Sequence, residues 1–242
     1  DGDALLLLQK EFPTLKLVEL PSYKIQYPKN GKLLKLKLFF NLPVVVKTIN
    51  KEKKIIADLI VSEKLIGIIS DNRMGVRNAK IPSVYITHQL NVLSGITTFL
   101  TSSIHQYYIN KFDECWVPDM DGSNNLSGKL GHISDAKLKI KYIGLLSRMK
   151  KNVVPKNYDV LLLLSGPEPQ RSLLEEKLIA LFKGKKQRVL LIQGCVNSEQ
   201  RVKELDNISI YNYMLSNDLE LAINESEMVV SRSGYTTIMD MA

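Results

Sequence analysis

Tyr158-Asp-Val-Leu-Leu-Leu-Leu-Ser-Gly-Pro-Glu-Pro169 is the stretch that decides the fold. Its apolar run has no polar alternation and is stopped abruptly by Gly166 and two prolines. A strand with one wet face alternates, whereas a strand covered on both faces reads as a continuous apolar run. The stretch is therefore expected to be a strand of a parallel sheet, followed by a strand-end loop.

Working outward, the same rhythm recurs. Downstream the spacing predicts a helix to about Phe182, a strand over 188–192, a helix over 219–224, a strand over 227–230, the loop Ser231-Arg-Ser-Gly234 and the start of another helix. Upstream it predicts strands over 15–20, 65–69, 82–87 and 114–117. Between them lie a basic helical stretch to about Glu63, interrupted near Pro43, and a helix over 103–110. The pattern pauses after Ile140-Lys-Tyr-Ile-Gly144, and residues 147–157 are basic and aperiodic, as expected of a linker. The expected fold class is α/β, with two similar halves: residues 1–146, the linker 147–157, and residues 158–242.

Composition narrows the function classes. The 242 residues are 45% hydrophobic, which excludes a disordered chain. Two cysteines, Cys115 and Cys195, make no disulfide framework, and His88, His105 and His132 are too scattered for a metal ligand set. The longest apolar stretch, 38–46, is broken by Asn41 and Pro43 and is too short to span a bilayer, which takes about 20 residues. The formal charge of +8 is unevenly placed: eight lysines (29, 32, 35, 37, 47, 51, 53, 54) stand against Glu52 alone in residues 29–54. Interleaved with leucine, phenylalanine and valine, that segment suits an anionic membrane face. It equally suits two ordinary amphipathic helices with a solvated basic side. Nucleic acid is not expected as a partner, because no zinc-finger, ribonucleoprotein or helix-turn-helix signature accompanies the lysines.

Ligands of open parallel sheets bind at the carboxyl ends of strands. Two such loops stand out in the second half. In Ser165-Gly-Pro-Glu-Pro-Gln-Arg171, Gly166 permits close backbone approach before a helix. In Ser231-Arg-Ser-Gly-Tyr-Thr-Thr237, Ser233 or Thr236 is placed to cap the next helix. Asp240 falls on the face of Thr236, one turn on, where a carboxylate accepts hydrogen bonds from a sugar diol. A phosphate cradle with an acid one turn away suggests a nucleoside diphosphate; an ordinary strand–turn–helix junction has the same pattern. No Gly-x-Gly-x-x-Gly or phosphate-loop lysine motif occurs. The triplets Asp1-Gly-Asp3 and Asp119-Met-Asp121 suit either a metal–nucleotide or a plain acidic turn.

The segment Val229-Val-Ser-Arg-Ser-Gly-Tyr-Thr-Thr-Ile-Met-Asp240 resembles the donor-site signature of GT-B glycosyltransferases, in particular the peptidoglycan UDP-N-acetylglucosamine transferase family (glycosyltransferase family 28-like). Ile69-Ser-Asp-Asn-Arg-Met-Gly75, Tyr85-Ile-Thr-His-Gln89, Asp113-Glu-Cys-Trp-Val-Pro-Asp119, Tyr142-Ile-Gly-Leu-Leu-Ser-Arg148 and Leu164-Ser-Gly-Pro-Glu-Pro169 agree in order. The resemblance implies two Rossmann-like domains, acceptor-binding first and nucleotide-sugar-binding second. It implies donor diphosphate contacts from Ser165, Gly166, Gln170, Arg232, Ser233, Gly234, Tyr235 and Thr236, ribose contacts from Asp240 (where the family usually has Glu), and a base pocket at Met214. It further implies that the chain is a fragment, opening after the first strand–loop–helix of the family and stopping inside the ribose-binding helix. The general base of the family lies in the part that would precede it, so this fragment alone is expected to be inactive.

The implied reaction transfers a hexosyl or N-acetylhexosaminyl group from a UDP-sugar to an acceptor hydroxyl, without a metal or other cofactor. A general base deprotonates the acceptor while helix-end amides and Arg232 hold the leaving diphosphate. Asp71 and His88 are the catalytic candidates in the first half, and Asn72 and Arg73 sit on the acceptor side. Asp71 is equally suited to capping a turn, and His88 to a hydrogen-bonded core position. The expected location is the cytoplasm, peripheral at the inner face of the membrane, with an acceptor that is lipid-linked or membrane-associated. A UDP-sugar 2-epimerase of the same fold and a non-catalytic membrane-surface or anion-binding protein are the alternatives.

Overall fold

A computed structural model describes residues 1–23, 34–93, 95, 98–133 and 138–242, with backbone alone for residues 34–42. The chain is α/β, with two sheets in two compact units. One unit takes Asp1–Glu19 and Ser147–Ala242; the other takes residues 20–23 and the chain from the second helix to Leu146. The first helix, α1 (Gly2–Glu11), thus groups with the second sheet, whereas the sequence places residues 1–19 with the first half.

The first sheet is wholly parallel, in the order β1 (Ile68–Asp71), β2 (Ser83–Ile86), β3 (Glu114–Val117), β4 (Ile140–Tyr142). The long helix α2 (Leu34–Glu63) precedes β1, and α3 (Thr98–Ile109) joins β2 to β3. One core of this unit gathers Tyr85, Leu90, Ile109, Phe112, Cys115 and Val117. A second gathers Ile56 of α2 with Ile68 and Val76.

Three expectations change here. Residues 15–20 form no strand: Leu15 is 61% exposed and only Leu20, at the far end, packs on the Ile56 cluster. Residues 29–33 of the basic stretch lie outside the described residues, and from Leu34 on the stretch is one helix through Pro43 rather than two. A mid-helix proline removes one hydrogen bond, but burial of Ile49, Glu52 and Ile56 on the following turns holds the helix. The strand expected over 65–69 starts later, because Lys64 adopts a left-handed φ of 54° beyond the end of α2 and Ile66 stays 91% exposed.

The second sheet has the order β7 (Val202–Leu205), β8 (Ile208–Tyr211), β6 (Val189–Ile192), β5 (Tyr158–Leu163), β9 (Ser226–Ser231). All neighbours are parallel except β7, which returns antiparallel on β8. β5 lies between β6 and β9, as its unbroken apolar run requires. Val160, Leu162 and Leu164 pack on one face with Leu178 of α4 (Gln170–Phe182). Leu161 packs on the other with Ala222 of α5 (Ser216–Asn224). The chain ends on α6 (Tyr235–Met241).

Residues 147–157 have no regular structure but are strapped to α5 and β9. Asn224 Oδ1 accepts the Asn152 amide at 2.8 Å, and Glu220 accepts the Lys150 amide at 2.9 Å. The Lys156 ammonium donates to the carbonyl of Asn224 (2.6 Å), the last residue of α5, whose carbonyl lacks a helical partner, and to that of Ser226 (2.8 Å) at the start of β9. Among the described residues no helix is long and apolar enough to cross a membrane.

Candidate functional site

β5 and β9 are hydrogen-bonded neighbours running the same way, with Leu163 opposite Ser231. Their carboxyl ends therefore deliver Ser165–Pro169 and Arg232–Gly234 side by side. Gly166 has a φ of +95°, a conformation open to glycine at little cost. The Arg232 guanidinium lies over its Cα, and a Cβ there would collide with Nη1. Nη1 donates to the Ser165 carbonyl at 3.1 Å. Among the described residues no carboxylate lies within ion-pair distance of Arg232. Ser231, Arg232, Ser233 and Thr237 line a cavity of about 320 Å³ on this edge.

The neighbouring loop is organised differently from expectation. Glu168 folds back over the start of α4, accepting from Ser172 Oγ at 2.8 Å and the Ser172 amide at 3.3 Å, and it pairs with Arg171. The Ser172 bonds foremost, helped by Arg171, hold its carboxyl below the usual range. The α4 terminus thus carries an internal carboxylate at a place where an external anion would bind. Gln170, expected on the diphosphate, has its side-chain amide beside the carbonyls of Pro167 and Glu168. Arg171 also bonds Glu175 (3.1 Å) and the Gln193 carbonyl (3.2 Å) beyond β6.

At α6 the capping position is Gly234, with no side-chain cap, so neither Ser233 nor Thr236 has the capping role read from the sequence. Ser233 and Thr236 are exposed and Tyr235 is half-buried. Asp240 Oδ1 accepts from Ser147 Oγ at 2.8 Å, a partner 93 positions away that no local pattern signals. Met214 lies against the Leu161–Ala222 core, in the loop after β8.

In the first sheet the catalytic candidates converge. Asp71 ends β1 beside β2, and His88 follows β2 by two residues. Burial raises the Asp71 pKa, opposed by the nearby His88; burial lowers the His88 pKa, opposed by Asp71. Asn72, at a left-handed φ of 54°, donates to Asp71 Oδ1 at 3.3 Å. Arg73 turns the other way: its Nε donates to Glu52 of α2 at 2.6 Å, and it bonds the Pro21 carbonyl. The Asp-Asn-Arg run therefore splits, two residues at the strand end and one in the interior.

Asp119 of the second acidic triplet is fully buried and closes a loop. Its carboxylate accepts the amides of Met120 (2.8 Å), Leu126 (2.9 Å) and Ser127 (2.8 Å), and the Ser127 hydroxyl. Burial alone would raise its pKa, but these donors together pull it down to about 2. A depressed carboxylate stabilises the fold above its ordinary pKa, near 3.9, and that contribution disappears as pH falls from about 4 through 2. Asp119→Asn is expected to cost at least about 2 kcal/mol at neutral pH and to flatten the acid limb of the stability curve. Urea unfolding across pH measures both. Among the described residues no three His, Cys, Asp or Glu side chains form a group able to hold a metal ion.

No protein-family model matches the chain, and no curated protein matches it.

Proposed function

We propose that this chain acts as a glycosyltransferase that takes its sugar from a UDP-linked donor, with two Rossmann-like domains of the GT-B arrangement. The observation that carries the reading is Arg232 over Gly166: a guanidinium without a carboxylate partner among the described residues, held at the carboxyl ends of two adjacent parallel strands. A fixed cation at such an edge suits a diphosphate, and its fork matches paired phosphate oxygens. Ser233, Gly234, Tyr235 and Thr236 follow it at the start of α6, and Asp240 faces Ser147, a hydroxyl that a ribose diol would displace.

In this reading Arg232 and the Ser165–Gly166 backbone hold the diphosphate and take up charge as the bond to the anomeric carbon breaks. Asp71, with His88 beside it, is the group in the first sheet suited to accept the proton of an acceptor hydroxyl. Met214 is the candidate for contact with the base. Calorimetric titration with UDP, CDP and ADP tests the donor class: the expected result is saturable binding of UDP in preference to the others. No binding of any nucleoside diphosphate overturns it. Product analysis with a UDP-sugar then separates transfer, which releases UDP, from interconversion of the sugar nucleotide.

A further inference from the structure

We propose that α1 is a releasable strap over the carboxyl ends of β6 and β8, and that a nucleotide base reaches Met214 only when α1 lifts. The second half rests on Met214 as the base contact; the strap itself does not. β6 and β8 are parallel neighbours with Ile192 opposite Tyr211, so the loops that follow them leave from one edge. The Gln193 amide donates to the Tyr211 carbonyl at 2.9 Å and the Cys195 amide to the Asn212 carbonyl at 2.6 Å, which ties the two loops together. α1 meets both. The Glu11 carboxylate accepts the Ser216 amide at 3.1 Å, and the Lys10 ammonium lies 5.3 Å from the centre of the Tyr213 ring. These contacts fall on either side of Met214 in the chain. Near the other end of α1, Asp3 acts on the Cys195 thiol. Burial foremost raises that pKa, Glu175, Glu168 and Asp3 add to the rise, and Arg171 opposes it.

The Glu11 bond supplies what α5 lacks. Leu215 stands at the capping position of α5 and has no side-chain oxygen for the first amides, so the cap comes from a carboxylate 205 positions away. Yet α1 is held lightly. Leu5, Leu6, Leu7 and Leu8 run consecutively and none is buried; Leu6 and Leu8 are 37% and 44% exposed. A helix built permanently onto a core gathers its apolar residues in one stripe and buries them. Consecutive leucines spread round the helix, and the hold falls to one charge-assisted bond and one cation–ring contact, which a competing ligand can displace. Residues 12–19, with neither helix nor strand, give α1 a tether on which to lift. A ligand that binds only the released form is weakened in proportion to the fraction released.

The test uses the full chain with Lys10→Ala and Glu11→Ala combined. Cys195 is the reporter, and Cys115, buried in β3, is the internal reference. Modification by iodoacetamide is followed at each cysteine by peptide mass spectrometry. The rate at Cys195 is expected to rise about fivefold or more, with no change at Cys115. UDP is expected to bind the same variant about three- to tenfold tighter. Lys10→Ala alone leaves the α5 cap in place and is expected to give about a twofold rise at Cys195, which fraying of α5 would not produce. It also serves should the double variant fail to fold by circular dichroism. Glu19→Gln, at an exposed acid beyond α1, is expected to change neither readout. An unchanged Cys195 rate in both variants overturns the proposal. So does unchanged or weaker UDP binding in a variant whose Cys195 reacts faster, since α1 would then be a fixed wall of the pocket. If no form binds UDP while Cys195 still reacts faster, the donor assignment falls and the strap stands.

Discussion

Arg232→Ala is expected to weaken UDP binding about ten- to a hundredfold, the loss typical of a charge-assisted hydrogen bond to an anion. The side chain is half-buried and gives up one 3.1 Å bond to the Ser165 carbonyl, so the change in stability is expected to stay below about 1.5 kcal/mol. That separation of affinity from stability distinguishes a ligand-holding arginine from a structural one. Arg232→Lys keeps the charge but loses the planar fork, and is expected to recover only part of the affinity. Gly166→Ala reaches the same guanidinium from the other side, because its Cβ would displace Nη1 and its φ of +95° disfavours a side chain. Titration of UDP into each variant, beside urea unfolding, is the measurement. Unchanged affinity in Arg232→Ala would remove the observation on which the donor assignment stands.

The largest stability effect is expected at Glu52. Its side chain is fully buried and accepts from Arg73 Nε at 2.6 Å, Tyr23 hydroxyl at 2.7 Å and the Gly75 amide at 2.9 Å. Burial and the bond to Glu52 both push the Tyr23 pKa up, so its hydroxyl remains a donor. Removing one member of a buried pair leaves the other charge uncompensated, and Glu52→Ala is expected to cost about 3–5 kcal/mol. Arg73→Met is expected to cost a similar amount, and the double variant less than the two losses combined, with a coupling above about 1 kcal/mol. Gly75→Ala destabilises through the same place, since its Cβ would come within 2.5 Å of Glu52 Oε2 and also meet the Ile49 carbonyl. Shifts of the urea midpoint at constant slope report these costs. A loss under about 1 kcal/mol for Glu52→Ala would show that water already reaches the pair.

Much of the fold is legible in residue pattern, but only where the pattern is local. The runs at 158–164 and 188–192 read as strands because burial on both faces demands apolar residues at consecutive positions. The β7–β8 hairpin is not legible in the sequence: Val202–Leu205 is largely exposed and carries too little apolar signal. Its turn is made by Asp206 at a left-handed φ of 53° with Asn207, whose side chain bonds back to Phe182 and Gln187. The expectation at 15–20 failed for the opposite reason, since its alternation is right for a strand but no neighbouring strand pairs with it among the described residues.

The sequence by itself determined the α/β class, the strand at 158–164, and which loops follow strands. Each of these follows from the period at which apolar residues recur. Only the tertiary structure decided what the polar residues do. It set Arg232 over Gly166, turned Glu168 onto α4, drew Arg73 inward to Glu52 while leaving Asp71 at the strand end, and closed Asp119 on its own loop. The physical reason is range: apolar periodicity reports a residue's own face, whereas a hydrogen bond or ion pair needs a partner, and these partners lie from a few to 67 positions away along the chain.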